Sequence, residues 1–135
     1  MQLAAAGIPA FVIEGDELTR PKAERYRDPD EGLSDYRDSF DYSEVLEHVL
    51  PAVRAGWSGE LPLRISDWEN DGWQSSVVSL RPGTVVIVEG CFLLAGDGAD
   101  AFDLTVWIDF PLERVIERAL GRERDDPRAR ADVVL

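Results

Sequence analysis

The sequence predicts an α/β protein in which helices cover a parallel β-sheet. Three short apolar runs carry this prediction, at residues 11–13, 85–88 and 104–108. Each run is rich in β-branched residues and continuous rather than alternating, which is typical of strands buried on both faces. Segments with helical periodicity lie before, between and after these runs, and that alternation favours a layered α/β fold.

The length and the charge narrow the class of protein further. The chain has 135 residues, which corresponds to one domain spanning residues 1–135. It carries 27 acidic and 14 basic residues, a formal net charge of −13. A field of this sign repels phosphate backbones and anionic lipid surfaces, so neither a nucleic acid nor a membrane is expected as a partner.

The compartment follows from what the sequence lacks. No run approaches the ~20 apolar residues of a membrane-spanning helix, and the first residues have no basic stretch of the kind that opens a signal peptide. A single cysteine, Cys91, cannot form an internal disulfide, and we expect it to be a small buried apolar residue. These features favour a cytoplasmic protein.

The helices are predicted from their periodicity and their end signals. An alanine-rich helix over residues 1–6 should end at Gly7. Asp41 and Glu44 resemble a capping box that opens a second helix, which Pro51 should kink or split and Gly56 should end. The apolar stripe of this helix is expected to consist of Val45, Leu46, Val49, Leu50 and Val53, with His48 in solvent.

A third helix and two long loops complete the predicted organisation. Pro111 is well placed at the first turn of a helix that should reach Gly121. Residues 16–41 and 56–75 are acidic and rich in turn-forming residues, and the second of them holds three tryptophans. Both are long for structureless loops, so we expect functional loops or short helices within them.

Each predicted strand is followed by a carboxylate. The exits carry Asp16, Glu89 and Asp109, and a glycine stands beside the first two. Ligands of parallel sheets bind beyond the carboxyl ends of the strands, where two such carboxylates suit Mg²⁺ and one can accept a proton from a substrate hydroxyl. The alternative interpretation is that these residues merely begin turns.

A cluster of arginines lies near the end of the chain. Residues 114–130 contain six arginines, and Arg114, Arg118 and Arg122 are spaced by four and share one helical face. A guanidinium patch in so acidic a protein suits phosphate recognition. A solvated helix face with ion pairs along the helix remains the alternative, favoured for Arg114 and evenly balanced for Arg118, Arg122 and Arg124.

Five segments of the sequence are together distinctive: VVIVEGCFLL at residues 85–94, FDLTVWID at 102–109, FVIEGDE at 11–17, RPKAERY at 20–26 and YRDSFDY at 36–42. These segments resemble uridine kinases and their relatives in the phosphoribulokinase/uridine kinase group of P-loop NTPases. The resemblance runs over residues 8–118 and implies a three-layer P-loop NTPase fold with a parallel sheet. It also implies an ATP-dependent kinase that phosphorylates a nucleoside-like hydroxyl with the help of Mg²⁺.

The resemblance assigns roles to individual residues. Asp16 would be the general base on the acceptor hydroxyl, and Asp16 and Glu89 would hold Mg²⁺. Arg118, Arg122 and Arg124 would be lid arginines that neutralise the transferring phosphoryl group. Arg25, Tyr26 and Asp41 would face the acceptor.

The sequence also departs from the pattern of that group. The phosphate-binding motif G-x-x-x-x-G-K-[ST] needs a lysine, and the single lysine, Lys22, follows Pro21. Since the chain opens within the helix that follows this loop in the group, we expect the first strand and the P-loop to be missing, and the lid to be shortened. We therefore expect this chain to bind ATP weakly or not at all.

Two other functions remain open at this stage. A kinase of the same fold could act on another small-molecule hydroxyl, because residues 17–19 lack the aromatic residues that often follow the catalytic aspartate in uridine kinases. The second function is that of a degenerate, non-catalytic binding module, which is supported by the lack of the phosphate-binding motif in this sequence. Apolar faces left exposed by a missing strand would favour a homo-oligomer.

Overall fold

The computed structural model describes residues 2–30, 34, 37–94, 96–107, 111, 113 and 114. The chain divides into two units, residues 1–103 and 104–135, and all the named elements belong to the first unit. In chain order these elements are helix α1 (Gln2–Ala5), strand β1 (Ala10–Glu14), two 3₁₀ turns (Gly15–Leu18 and Lys22–Glu24), a π-helical segment (Val45–Val49) followed by helix α2 (Leu50–Arg54), strands β2 (Gly59–Asp67), β3 (Gly72–Leu80) and β4 (Val85–Glu89), and a 3₁₀ segment (Gly96–Ala101).

Strands β1 and β4 form a parallel pair, as the sequence predicts for two of its three apolar runs. The register aligns Ala10 with Val85 at one end and Glu14 with Glu89 at the other. Seventy residues lie between the two strands, and a parallel pair needs such a crossover connection. The carboxyl ends of both strands therefore meet at one edge of the sheet.

The prediction that these strands are buried on both faces is wrong. Ile13 is 1% exposed and lies in the core, whereas Val12 is 42% and Val85 is 40% exposed. Because side chains alternate along a strand, one face of the pair carries the core residues and the other carries Val12 and Val85. An apolar run indicates residues that can be buried. Whether both faces of the strand are buried depends on other segments that pack against it.

The third predicted strand is not formed over the part of it that the structure describes. Residues 104–107 have no strand geometry, and Leu104, Val106 and Trp107 are 80%, 72% and 77% exposed. Residue 108 lies outside the described residues. A strand needs the hydrogen bonds of a neighbouring strand, so a β-rich composition alone does not create one.

A β-hairpin occupies most of the second predicted loop. Strands β2 and β3 pair antiparallel from Gly59–Leu80 to Asp67–Gly72, and residues 68–71 form the turn. Alternation places Leu63, Val78 and Leu80 in the core at 4%, 0% and 4% exposure. Pro62 within β2 and the polar residues of β3 obscure this pattern in the sequence.

The helix ends follow their sequence signals closely. Gly7 and Gly56 both have positive φ, at 71° and 72°. At Gly56 the amides of Gly56 and Trp57 donate to the carbonyls of Val53 and Ala52, which is a Schellman motif. Pro51 does not split the helical region, which is continuous from residue 43 to residue 54; the change there is from the π-helical segment to helix α2 at Leu50.

The opening of this helical region differs in detail from the predicted capping box. The Asp41 carboxylate accepts hydrogen bonds from the amide and hydroxyl of Ser43, at 3.2 and 2.6 Å. Glu44 does not reach back to the Asp41 amide, which donates to the carbonyl of Leu18. The Glu44 carboxylate instead accepts from the amide of Arg64 at 2.8 Å.

His48 is exposed, as predicted. At the predicted third helix, residues 113 and 114 are helical, and the rest lies outside the described residues.

The core joins the two sheets through the helical region. Its fully buried members come from β1, the turn that follows it, the π-helical segment and the hairpin: Ile13, Leu18, Val45, Val49 and Val78. Ser66 of β2 donates to the carbonyls of Glu17 and Thr19, at 3.0 and 2.6 Å. The hairpin thus fixes the backbone that leaves β1.

Among the described residues, no helix has the length and apolar character needed to cross a membrane.

Candidate functional site

The exits of β1 and β4 are joined to each other directly. The amide of Gly15 donates to the carboxylate of Glu89 at 3.3 Å. Gly15 and Gly90 leave room for this contact, because a Cβ on Gly15 would lie 2.7 Å from the Glu89 carbonyl oxygen and 2.8 Å from Gly90 Cα. The close backbone approach expected from these two glycines is present.

Asp16 and Glu89, the predicted metal ligands, lie on the two sides of this junction. Asp16 is an exposed residue that follows the buried Gly15 in the 3₁₀ turn, and Glu89 ends β4. Burial raises the pKa of the nearby Tyr42 phenol, and Cys91, Glu89 and Asp16 raise it further by charge repulsion. Both carboxylates therefore raise the pKa of the same phenol. The fold thus brings together two residues that are distant along the chain.

The donor set fits Mg²⁺ rather than a cation held entirely by protein. The described residues contain no group of three or more histidine, cysteine, aspartate or glutamate side chains placed to hold a metal ion. Mg²⁺ is commonly bound through one or two carboxylates, with water and substrate phosphates completing its shell. Asp16 and Glu89 supply oxygen ligands of that kind.

A cleft of about 440 Å³ opens beside Asp16. Its lining combines one carboxylate, one guanidinium, three aromatic rings and small polar side chains: Asp16, Thr19, Arg25, Ser39, Phe40, Trp68, Cys91 and Phe92. The Phe40 and Phe92 rings lie 6.3 Å apart, and Trp68 is 64% exposed. Such a lining suits a small molecule with a planar apolar part and a polar group directed at Asp16.

Cys91 corrects one expectation from the sequence. It was expected to be a small buried apolar residue, but it is exposed and lines the cleft. Cys91 lies two residues beyond the end of β4, in a turn, so it does not share the burial of a strand residue. Its carbonyl oxygen accepts a hydrogen bond from the Tyr42 hydroxyl at 2.9 Å.

Of the three predicted acceptor-binding residues, the structure brings Arg25 to the cleft. Arg25 Nε is buried and has no hydrogen-bond partner among the described residues. Tyr26 lies next to it, 57% exposed, with the Arg25 guanidinium 5.5 Å from its ring centre. Neither Tyr26 nor Asp41 belongs to the lining of the cleft.

Asp41 instead lies at the centre of a charged cluster. Its carboxylate is 2.9 Å from the Arg64 guanidinium and 3.4 Å from that of Arg20, and its side chain is 10% exposed. Arg64 also covers the Trp73 ring at 4.3 Å, and the Trp73 indole donates to Glu24. The cluster connects the hairpin to the loop that carries Arg25.

The electrostatics of Asp41 reflect this setting. Burial by itself would raise the pKa of Asp41, but hydrogen bonds from Ser43 and the charges of Arg20 and Arg64 outweigh it. The pKa of Asp41 therefore lies below its ordinary value of 3.8. Asp41 is an ionised structural anchor at neutral pH.

The remaining predicted site residues lie outside the described residues. These are the lid arginines Arg118, Arg122 and Arg124. Sequence reasoning missed the aromatic lining, Phe40, Trp68 and Phe92. The three tryptophans in residues 56–75 are a sequence signal for an aromatic site. Only the hairpin decides that Trp68 is the one that lines the cleft with Asp16.

The fold and the paired strand exits define a class. The chain is a mixed α/β protein with a parallel strand pair and a nucleoside kinase-like P-loop fold. It is similar to the solved structure of a possible uridine kinase from Bacillus stearothermophilus, with 25% sequence identity and a TM-score of 0.69. The likeness covers 99% of this chain and 76% of that one. No protein-family profile matches the chain, and no curated protein matches it.

Proposed function

We propose that this chain forms the acceptor and metal side of a phosphotransferase that moves a phosphoryl group from ATP to a hydroxyl of a nucleoside-like molecule. The observation that carries the proposal is the position of Asp16. It lines a cleft with three aromatic rings, and it follows Gly15, whose amide binds the carboxylate of Glu89. In phosphoryl transfer to a hydroxyl, one carboxylate can accept the hydroxyl proton and acidic side chains can hold Mg²⁺, and we assign these roles to Asp16 and Glu89.

Asp16 acts as the general base. As the acceptor oxygen forms its bond to the γ-phosphorus, its O–H bond breaks and the proton passes to the Asp16 carboxylate. ADP leaves with the electron pair of the broken P–O bond. Positioning and charge neutralisation supply most of the rate enhancement in such reactions, so the protein needs little covalent chemistry of its own.

Asp16 and Glu89 would hold Mg²⁺, which when bound neutralises charge on the phosphates. The Gly15 amide orients one oxygen of Glu89 and leaves the other oxygen for the ion. The lid arginines Arg118, Arg122 and Arg124 are proposed to neutralise the transferring group from the donor side.

The aromatic lining supports a nucleoside-like acceptor. Phe40, Phe92 and Trp68 offer ring faces for a planar base, and aromatic rings stack favourably at offset geometries. Arg25 also lines the cleft, and its guanidinium supplies N–H donors that can pair with a carbonyl oxygen on the base. The aromatic residues absent after Asp16 in the sequence are thus replaced by rings from three other segments.

Acceptor binding can be tested without ATP. Uridine, cytidine, ribose and glycerol are titrated into the 135-residue chain while tryptophan fluorescence is recorded. We expect uridine or cytidine to quench the signal and Trp68→Phe to abolish the quench. Trp57→Phe is the matched control, because Trp57 is 51% exposed and does not line the cleft.

The outcomes separate the candidate functions. Quenching by neither nucleoside would contradict a nucleoside acceptor. A response to ribose or glycerol alone would favour another hydroxyl compound. The transfer step is then tested with γ-labelled Mg·ATP and the best acceptor, with ATP binding measured in parallel because the sequence lacks the phosphate-binding motif. Absence of labelled product when both ATP and the acceptor are bound would favour a non-catalytic binding module.

A further inference from the structure

The junction between β1 and β4 depends on a residue that neither strand supplies. Gly15 and Gly90 approach so closely that a Cβ on Gly90 would lie 3.0 Å from Gly15 Cα. The same added Cβ would collide with the hydroxyl of Tyr42, and one on Gly15 would lie 2.7 Å from that hydroxyl. The Tyr42 hydroxyl therefore occupies the space beside both glycines.

Tyr42 is held in this place from three directions. Its hydroxyl donates to the carbonyl oxygen of Cys91 at 2.9 Å, just beyond the end of β4. Its ring stacks on Phe40, with centres 5.9 Å apart and planes 21° from parallel. Its carbonyl oxygen accepts from Leu46 at 3.0 Å, which ties its backbone to the helical region.

We infer that Tyr42 is a positioning residue that sets the separation of Asp16 and Glu89 by bracing the Gly15–Gly90 contact. The importance of that separation for metal binding and proton transfer rests on the proposed function. Asp16 follows Gly15 directly, and Glu89 precedes Gly90 directly, so a shift of one glycine past the other moves the two carboxylates apart. The hydroxyl, rather than the ring, makes the contacts that resist this shift.

Tyr42 acts through these neighbours rather than by exchanging a proton. Its phenol is kept neutral by burial and by the surrounding Cys91, Glu89 and Asp16, so the hydroxyl remains a donor. A phenylalanine at this position would keep the stacking on Phe40 and lose the bond to Cys91. It would also leave a gap beside the two glycines into which the β4 exit could relax.

The first test reads the junction directly and needs no ligand. In the unmodified chain, the Gly15 amide chemical shift should change as the Glu89 carboxylate is protonated on acidification, because the two are hydrogen-bonded. We expect Tyr42→Phe to reduce the amplitude of this change at least about twofold as the bond lengthens. An amplitude equal to that of the unmodified chain would overturn the inference.

The control removes a hydroxyl at the opposite end of β4. Thr84 Oγ1 accepts from the amide of Arg81 at 2.8 Å, immediately before β4 begins. Thr84→Val should lower the thermal midpoint by an amount similar to Tyr42→Phe and leave the Gly15 titration unchanged. If Thr84→Val reduces the titration equally, the effect is general destabilisation and the inference fails.

A second measurement separates this inference from the proposed function. Mn²⁺ is used as the probe, and its binding is followed by electron paramagnetic resonance. We expect Tyr42→Phe to weaken Mn²⁺ binding about fivefold or more, and Thr84→Val to change it less than twofold. If the unmodified chain binds no Mn²⁺, the proposed metal site is contradicted, and the Gly15 titration alone decides the role of Tyr42.

Discussion

The Gly15 amide donates to the Glu89 carboxylate across 3.3 Å, although the two residues are 74 positions apart along the chain. This bond joins the exits of two parallel strands and places Asp16, the next residue, beside a second carboxylate. It depends on glycine at positions 15 and 90, because side chains there would meet backbone atoms. The strand junction is therefore the part of the fold on which the proposed chemistry depends most.

Replacing Gly15 tests the junction by crowding it. Gly15→Ala would place a Cβ 2.7–2.8 Å from the Glu89 carbonyl oxygen, Tyr42 Oη and Gly90 Cα, and two of these atoms belong to the backbone. We expect a loss of about 1–3 kcal/mol in the free energy of unfolding, measured with urea. Gly72→Ala is the matched control, because its nearest neighbour would lie 4.0 Å away. Equal effects of the two substitutions would contradict this description.

Replacing Asp16 separates proton transfer from acceptor binding. Asp16→Asn keeps the shape of the side chain and removes the base, so kcat for phosphoryl transfer should fall about 10²–10⁴-fold. Uridine quenching of Trp68 fluorescence should change little. Glu17→Gln alters the next carboxylate, which is exposed and outside the cleft lining, and should leave kcat near that of the unmodified chain. A normal rate in Asp16→Asn would exclude Asp16 as the base.

Asp41 should make stability dependent on pH. Because its pKa in the folded protein lies below the ordinary 3.8, its contribution is complete above that pH and is lost as the pH falls through the lowered value. At pH 7, Asp41→Asn should cost about 1–3 kcal/mol in urea unfolding, since Arg20 and Arg64 lose their shared partner.

The difference between Asp41→Asn and the unmodified chain should shrink as the pH falls from 3.8 through the lowered pKa of Asp41, below which both chains carry an uncharged residue 41. Asp103→Asn is the control, because its ion pair with Arg54 at 3.4 Å is exposed to solvent. That pair should contribute less than about 1 kcal/mol at any pH. A difference at residue 41 that stays constant with pH would mean that its charge is not what stabilises the fold.

Cys91 should react with thiol reagents without unfolding. It is exposed, so we expect one equivalent of iodoacetamide to be incorporated in native buffer, as measured by mass spectrometry. Since Cys91 lines the cleft, a bound nucleoside should slow the reaction. Cys91→Ser measures the background incorporation. If modification required denaturant, Cys91 would be buried, as the sequence predicts, and its exposed position would be contradicted.

Local signals in the sequence were sufficient where the physics is local. Gly7 and Gly56 act on their own backbone, and each ends a helix as predicted. The apolar stripe of Val45 and Val49 at helical spacing was also predicted, and both residues are fully buried. The two parallel strands followed from continuous β-branched runs, and the carboxylates at their ends followed from the position of those runs.

Pairing partners and covering layers were not visible in the sequence. The run at residues 104–107 has the stronger intrinsic preference for strand geometry, yet it forms no strand, whereas the more polar strands β2 and β3 pair with each other. The exposure of Val12 and Cys91 likewise depends on what packs nearby rather than on residue type.

The sequence by itself determined the class of fold, the helix ends and the carboxylates at the strand exits, because each follows from the spacing of residues along one segment. The tertiary structure alone decided that Gly15 meets Glu89, that Tyr42 braces the contact, and that rings from distant segments line the cleft beside Asp16. Contacts between segments many residues apart depend on the packing of the whole core, and no local pattern encodes them.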